Sequence, residues 1–219
     1  FKTVQLLILN FKIIRITVNI LVCNNFKRIP KVIRTALALL MILTICTTTS
    51  IAQERDARTH LKQITDDIKS IENNPVIINH IIASNKMSRD ISNSEIALKD
   101  NQWRRELITN QYNFINSVLN ADASRELKKI KNNRSNTYGE IFIMNNKGLT
   151  IAMTQPTSDY WQGDEAKWQE TFPANGQSFH LGDVEFDESA QAFTAQVSAP
   201  IKNSARENIG AITFGILME

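Results

Sequence analysis

Residues 140–154 read EIFIMNNKGLTIAMT. The first five are a run of apolar and β-favouring side chains, and residues 149–154 form a second such run. Between them, the NNKG cluster at residues 145–148 is typical of a tight turn, because asparagine and glycine tolerate the backbone angles that a reversal needs. The stretch therefore predicts a β-hairpin.

The distribution of glycine divides the chain around this hairpin. All seven glycines lie at or after position 139, and none lies between residues 53 and 138. Glycine is unfavourable inside helices and useful in turns, so the division predicts a helical part at about 53–132 and a sheet part at about 138–219. Leu61, Ile64 and Ile68 recur at helical spacing, in agreement with the first assignment.

Three more strands are predicted after the hairpin, at residues 183–186, 193–199 and 209–217. Apolar and polar residues alternate in the second of these, as in a strand with one buried face. The third is apolar on both faces, which suits a central strand. The predicted fold class is α+β, with helices packed on a five-stranded antiparallel sheet.

An insert rich in aromatic residues separates the second and third predicted strands. Residues 157–168 read TSDYWQGDEAKW and contain two of the three tryptophans and one of the three tyrosines of the chain. Large aromatic side chains beside a few charged groups are typical of a small-molecule pocket. The spacing predicts that Trp161, Glu165 and Trp168 share one helical face, and a helix that only caps the sheet remains the alternative.

The runs at residues 141–148, 158–168, 183–189 and 209–216 together resemble the PDC sensor, or single Cache, domains of bacteria. Runs at 74–77 and 100–104 look like the helical part of the same proteins, so the resemblance covers about residues 60–219. It implies long N-terminal helices on a PAS-like sheet with strand order 2-1-5-4-3. It also implies a pocket between sheet and insert for an amino acid, amine or organic acid.

Seven residues are candidates for lining this pocket. Aromatic walls exclude water, and buried polar groups then need a partner that a ligand can supply. Asp164 suits an ammonium or hydroxyl group, which slightly favours an amine-bearing metabolite. The insert contributes Tyr160, Trp161, Asp164 and Trp168, and the sheet contributes Asp183, Thr194 and Gln196.

Residues 1–52 have the features of a leader. A basic stretch at 26–34, an apolar run at 36–46 and the small residues Ser50 and Ala52 follow the order of a secretory signal. Cleavage after Ala52 would leave a periplasmic domain at 53–219, and an uncleaved membrane anchor is the alternative. Because no Met occurs before Met41, we expect the true start to lie near residue 30.

Several function classes find no support in the sequence. The leader holds seven basic and no acidic residues. The remaining chain therefore has 18 of the 25 basic residues and all 22 acidic ones, so its net charge is negative and nucleic-acid binding is not expected. The three histidines are scattered without metal-ligand spacing, both cysteines lie in the leader, and no catalytic set or cofactor motif occurs. We therefore expect neither an enzyme nor a bound metal or cofactor.

The function that these observations favour is extracytoplasmic sensing of a small metabolite. Most domains of this family are tethered to an output domain, whereas this sequence stops at Glu219, so we expect signalling through a membrane protein partner. The alternative is an interaction or structural module whose pocket is filled by its own side chains.

Overall fold

The computed structural model describes residues 60–173, 179–187 and 192–218. Residues Gln63–Met218 form one compact unit. In the described part five helices precede the sheet: α1 (60–72), α2 (Pro75–Met87), α3 (Asn93–Thr109), α4 (Phe114–Leu119) and α5 (Asp122–Asn133). A short helix within the insert, α6, spans Ala166–Gln169. The predicted leader and the predicted mature start at Gln53 lie outside the described residues.

The helix boundaries follow local sequence signals. The Asn74 side chain caps α2, and Pro75 occupies its first turn, where a missing N–H costs nothing. Ser92 and Glu95 form a reciprocal capping box at the start of α3. Asn110, with a φ of 53°, ends that helix in the left-handed conformation. None of the helices that the structure describes is long and apolar enough to cross a bilayer.

The five strands form one antiparallel sheet with the order β2-β1-β5-β4-β3. The predicted fold class and strand order are therefore confirmed. The strands are β1 (Tyr138–Met144), β2 (Thr150–Met153), β3 (His180–Asp187), β4 (Ala192–Lys202) and β5 (Asn208–Met218). The third strand begins three residues earlier than the sequence predicted, so His180 belongs to the sheet and not to the insert.

The predicted hairpin joins β1 to β2, and its turn depends on two residues. Asn145 accepts hydrogen bonds on its side-chain oxygen from the backbone N–H groups of Lys147 and Leu149, at 2.9 and 3.1 Å. Gly148 has a φ of 75°, and a Cβ there would lie 2.4 Å from the Cα of Gly163. Only glycine fits this position, because the turn needs a positive φ and the insert approaches closely.

One face of the sheet packs on the helices and forms most of the core. Tyr138 lies on this face and donates a hydrogen bond from its hydroxyl to Asp67 of α1 at 2.8 Å. Strand alternation and register place the following buried residues on the same face: Ile141, Ile143, Val197, Ile212, Phe214 and Ile216. The opposite face is left for the insert.

The outer edge of β2 is closed by helices and by the insert. The hydroxyl of Ser124 accepts a hydrogen bond from Met153 N at 2.9 Å. The imidazole Nε2 of His80 donates to the carbonyl of Ile151 at 2.9 Å. These contacts satisfy backbone groups that an edge strand would otherwise expose.

Candidate functional site

Residues 160–162 of the insert pair with the end of the β1–β2 turn and the first residue of β2. The backbone N–H of Thr150 donates to the carbonyl of Tyr160, and that of Gln162 donates to the carbonyl of Gly148, both at 2.8 Å. Trp161 pairs with Leu149 in an isolated antiparallel bridge. Tyr160 itself lies at a bend of the backbone.

Helix α3 anchors this segment through Asp100. One carboxylate oxygen of Asp100 accepts hydrogen bonds from the backbone N–H groups of Tyr160 and Trp161, at 2.9 and 3.0 Å. The other oxygen pairs with Arg104 at 2.8 Å, and Arg104 also reaches Asp159 at 3.2 Å. The start of the insert is therefore held by charge-assisted hydrogen bonds from a helix about sixty residues away in sequence.

Asp159 occupies an unfavourable place for a carboxylate. Its side chain is only 14% exposed. Burial, followed by the negative charge of Glu165, raises the pKa of Asp159 to about 6, although Arg104 acts in the opposite direction. The insert thus contains a carboxyl group that can change charge near neutral pH.

The two tryptophans of the insert are fixed against the β1–β2 turn. The indole N–H of Trp161 donates to the carbonyl of Lys147 at 2.9 Å, and that of Trp168 donates to the carbonyl of Asn145 at 3.0 Å. Trp168 also stacks on Phe172, with ring centroids 5.2 Å apart. The predicted helical face shared by Trp161, Glu165 and Trp168 is wrong, because α6 contains only residues 166–169.

Tyr160 packs among aromatic residues of the helices. Its ring centroid is 4.7 Å from that of Phe114 and 5.6 Å from that of Trp103. Burial raises the pKa of Tyr160 to about 12, so its phenol is protonated under physiological conditions. Tyr160 and Trp161 therefore have different neighbours, the helices for the Tyr160 ring and the β1–β2 turn for the Trp161 indole.

Helix α6 lies over the sheet face that the N-terminal helices leave open. The ammonium group of Lys167 is 5.7 Å from the ring centroid of Phe142 in β1 and forms an ion pair of 2.8 Å with Glu165. The Lys167 side chain is only 14% exposed. A cation enclosed between an aromatic ring and a carboxylate makes this a low-dielectric, charged environment.

The sheet surface on this face is polar at its centre. The hydroxyls of Ser198 and Thr213 are 2.8 Å apart, and both residues are fully buried. Gln196 donates a hydrogen bond from its side-chain amide to Glu140 at 3.0 Å. Phe142 pairs in register with Thr213, and Thr213 pairs with Ser198, so these side chains stand in one row across three strands.

The remaining predicted residues differ in their surroundings. Thr194 is buried, and strand alternation places it on the same face as Gln196 and Ser198. Asp164 and Asp183 have exposed side chains. Asp183 lies within the irregular register between Leu181 and Val184, where β3 departs from regular pairing. The structure therefore groups Trp168, Thr194 and Gln196 near the open face and leaves the two acidic residues in solvent.

Several residues of this site were not among the predicted set. Glu140, Phe142, Ser198 and Thr213 read as ordinary strand residues, and no sequence signal distinguishes them. Asp100 and Arg104 do carry a signal, since a pair of opposite charges four residues apart on a helix is a known stabilising arrangement. Within the described ranges, no group of three or more His, Cys, Asp or Glu side chains could hold a metal ion.

No protein-family model matches this sequence, and no curated protein matches it. Solved structures do match. The sensor domain of the V. cholerae histidine kinase DctB is 14% identical, with 72% of this chain and 54% of that chain covered and a TM-score of 0.32. The sensory domain of the Campylobacter jejuni chemoreceptor Tlp3 with isoleucine bound is 11% identical, with coverage of 72% and 62% and a TM-score of 0.34.

The ligand-binding domain of the Pseudomonas aeruginosa amino acid chemoreceptor PctC, in complex with GABA, is 13% identical, with coverage of 44% and 42% and a TM-score of 0.36. All three are sensor or ligand-binding domains of a histidine kinase or of chemoreceptors. This chain spans between 42% and 62% of the length of these three structures.

Proposed function

We propose that this protein is an extracytoplasmic sensor domain that binds a small metabolite between α6 and the open face of the sheet. The observation that carries the proposal is the row of buried polar side chains on that face, beneath the enclosed cation of Lys167. Such groups are costly in a purely structural core, where apolar residues of similar shape would serve as well. A small polar ligand would supply hydrogen-bond partners for these buried polar groups.

The charges of the site indicate the class of ligand. Lys167 supplies a positive charge on the insert side, and Glu140 supplies a carboxylate on the sheet side. In a molecule that carries both charges, such as an amino acid, the anionic group could replace Glu165 as the partner of Lys167. The cationic group could replace Gln196 as the partner of Glu140. An amine or an organic acid would replace only one of these two partners.

The experiment is a thermal-shift screen of the purified protein with amino acids, amines and organic acids, followed by calorimetry with any compound that stabilises it. Replacing Lys167 with Gln should weaken binding by about tenfold or more, because a hydrogen bond to a charged group contributes about 1.5–3 kcal/mol. Lys129→Gln is the matched control, since Lys129 forms an ion pair with Glu126 on the exposed surface of α5. Equal affinity in both variants would contradict the proposal.

The second candidate is an interaction module without a ligand. Its support is that the tryptophan N–H groups and the polar pairs of the open face already have partners within the chain. On this alternative, mass spectrometry of the native protein finds no co-purifying metabolite, and the thermal-shift screen finds no stabilising compound. The replacement Trp161→Ala then lowers stability without affecting any affinity.

Export and signalling are further parts of the proposal. The order of charged, apolar and small residues in 26–52 supports cleavage after Ala52. The intact mass of the protein isolated from the periplasm should correspond to a chain that begins at Gln53, and a mass that includes the apolar run 36–46 would indicate an anchor instead. Crosslinking in intact cells, with and without ligand, tests for a membrane signalling partner.

A further inference from the structure

A cleft of about 360 Å³ lies at the outer edge of β2, between α2 and α4. Its walls include His80 and Ser84 of α2, Val118 of α4, residues 149–151 of the hairpin, and Tyr160. Lys167, Trp168 and Gln196 do not line it, so it is distinct from the site under α6. A cleft of this size can hold a small organic molecule.

The phenol of Tyr160 is a fixed and unused hydrogen-bond donor in this cleft. The residue is 8% exposed, and its ring is held by Trp103 and Phe114. Its backbone N–H is bound by Asp100, and its carbonyl is bound by Thr150. No hydrogen bond joins its hydroxyl to any residue that the structure describes. The hydroxyl is therefore available to a group that enters the cleft.

Thr150 provides a second, independent indication. It lines the same cleft and is 0% exposed, and its hydroxyl oxygen has no hydrogen-bond partner among the described residues. A hydroxyl that is buried without a partner is energetically unfavourable, and a ligand that bonds to it would remove that penalty. A buried hydroxyl without a partner, on the hairpin, and an available phenol, on the insert, thus line the same cleft.

The charges and walls of the cleft define the ligand class. Lys99 lines it with an exposed side chain and contributes a positive charge, and no Asp or Glu is among the lining residues. Much of the remaining wall is apolar: Ala83, Met87, Ile91, Val118, Ala121, Leu149 and Ile151. The cleft therefore combines hydroxyl donors and a cation with an apolar surface, which suits an anionic head group attached to an apolar chain.

We propose that this cleft is a second binding site, which takes a small carboxylic acid with an apolar chain. The carboxylate accepts hydrogen bonds from the Tyr160 hydroxyl and interacts with Lys99, and the chain lies against α2 and α4. The site differs in place and in preferred ligand from the one under α6. A ligand here contacts both the hairpin and the helices, so its binding would stabilise their association.

Octanoate is the probe, and octylamine is its matched control of opposite charge. Calorimetry on the purified full chain should show saturable binding of octanoate and none of octylamine. Tyr160→Phe should weaken octanoate binding by about tenfold or more, since it removes a hydrogen bond to a charged group. The same variant should unfold at the parent's temperature, because the hydroxyl has no partner within the described chain.

A second variant tests the location without touching Tyr160. Ala83→Trp fills the cleft from an exposed position on α2 and should abolish octanoate binding, whereas Ala97→Trp, at an exposed position on α3 that does not line the cleft, should preserve it. Lys167→Gln should also leave octanoate binding unchanged. The proposal is overturned if octanoate does not bind saturably, if octylamine binds as well, or if Ala83→Trp has no effect. Loss of octanoate binding in Lys167→Gln alone would assign the probe to the site under α6.

Discussion

Replacing Asp159 with Asn should remove a pH dependence of stability that the fold itself creates. Because its pKa is raised from 3.8 to about 6, the folded protein holds this proton more tightly than the unfolded chain does. The contribution to stability is therefore fully present below about pH 3.8 and is lost as the pH rises through about 6. Asparagine has the same shape and stays neutral throughout.

The size of the effect follows from the pKa shift. A shift of about two pKa units corresponds to about 3 kcal/mol in total, of which about 1.4 kcal/mol is lost between about pH 5 and about pH 7.5. Between those pH values, the free energy of unfolding of the parent should fall by about that much more than that of Asp159→Asn. Other titrating groups are common to both proteins and cancel in the comparison.

Urea unfolding at both pH values and equal ionic strength, followed by tryptophan fluorescence, measures this difference. Asp164→Asn is the matched control, because Asp164 is an exposed aspartate of the same loop. If Asp159→Asn and the parent lose the same free energy between the two pH values, the environment assigned to Asp159 is wrong. A larger loss in the variant would mean that the pair with Arg104 outweighs burial.

Two further predictions concern buried polar groups. The carboxylate of Glu106 accepts hydrogen bonds from the backbone N–H groups of Phe114 and Ile115, each at 3.0 Å, so Glu106→Ala should lower the free energy of unfolding in urea by about 2–4 kcal/mol, while Glu106→Gln loses less. If Glu106→Ala lowers the free energy of unfolding by less than Glu106→Gln does, α4 does not need this carboxylate as a cap. Ser198→Ala should lower the free energy of unfolding by about 1–3 kcal/mol, because it leaves the buried hydroxyl of Thr213 without a partner. Adding Thr213→Val should recover most of this loss, because it removes that hydroxyl. A double variant no more stable than the single one would refute this account.

Much of the fold could be predicted because its signals are local. The absence of glycine before residue 139, the NNKG turn at 145–148 and the apolar run at 209–217 each act within a few residues. The strand order came from the resemblance to Cache domains and not from these signals. The start of β3 at His180 was missed, because cross-strand pairing with β4 extends a strand beyond its own propensity.

Less of the candidate site than of the fold could be predicted from the sequence. Composition drew attention to the run at 157–168, but a helical period was assumed across it where only the part from residue 166 onwards is helical, so the placement of Trp161 and Glu165 was misjudged. The sequence by itself determined the α+β class, the hairpin and the aromatic insert. Only the tertiary structure decided that Asp100 binds the backbone of Tyr160 and Trp161, and that the rings of these two residues have different neighbours. The physical reason is that hydrogen bonds and burial between segments distant in sequence set the backbone of the insert, and no local pattern encodes them.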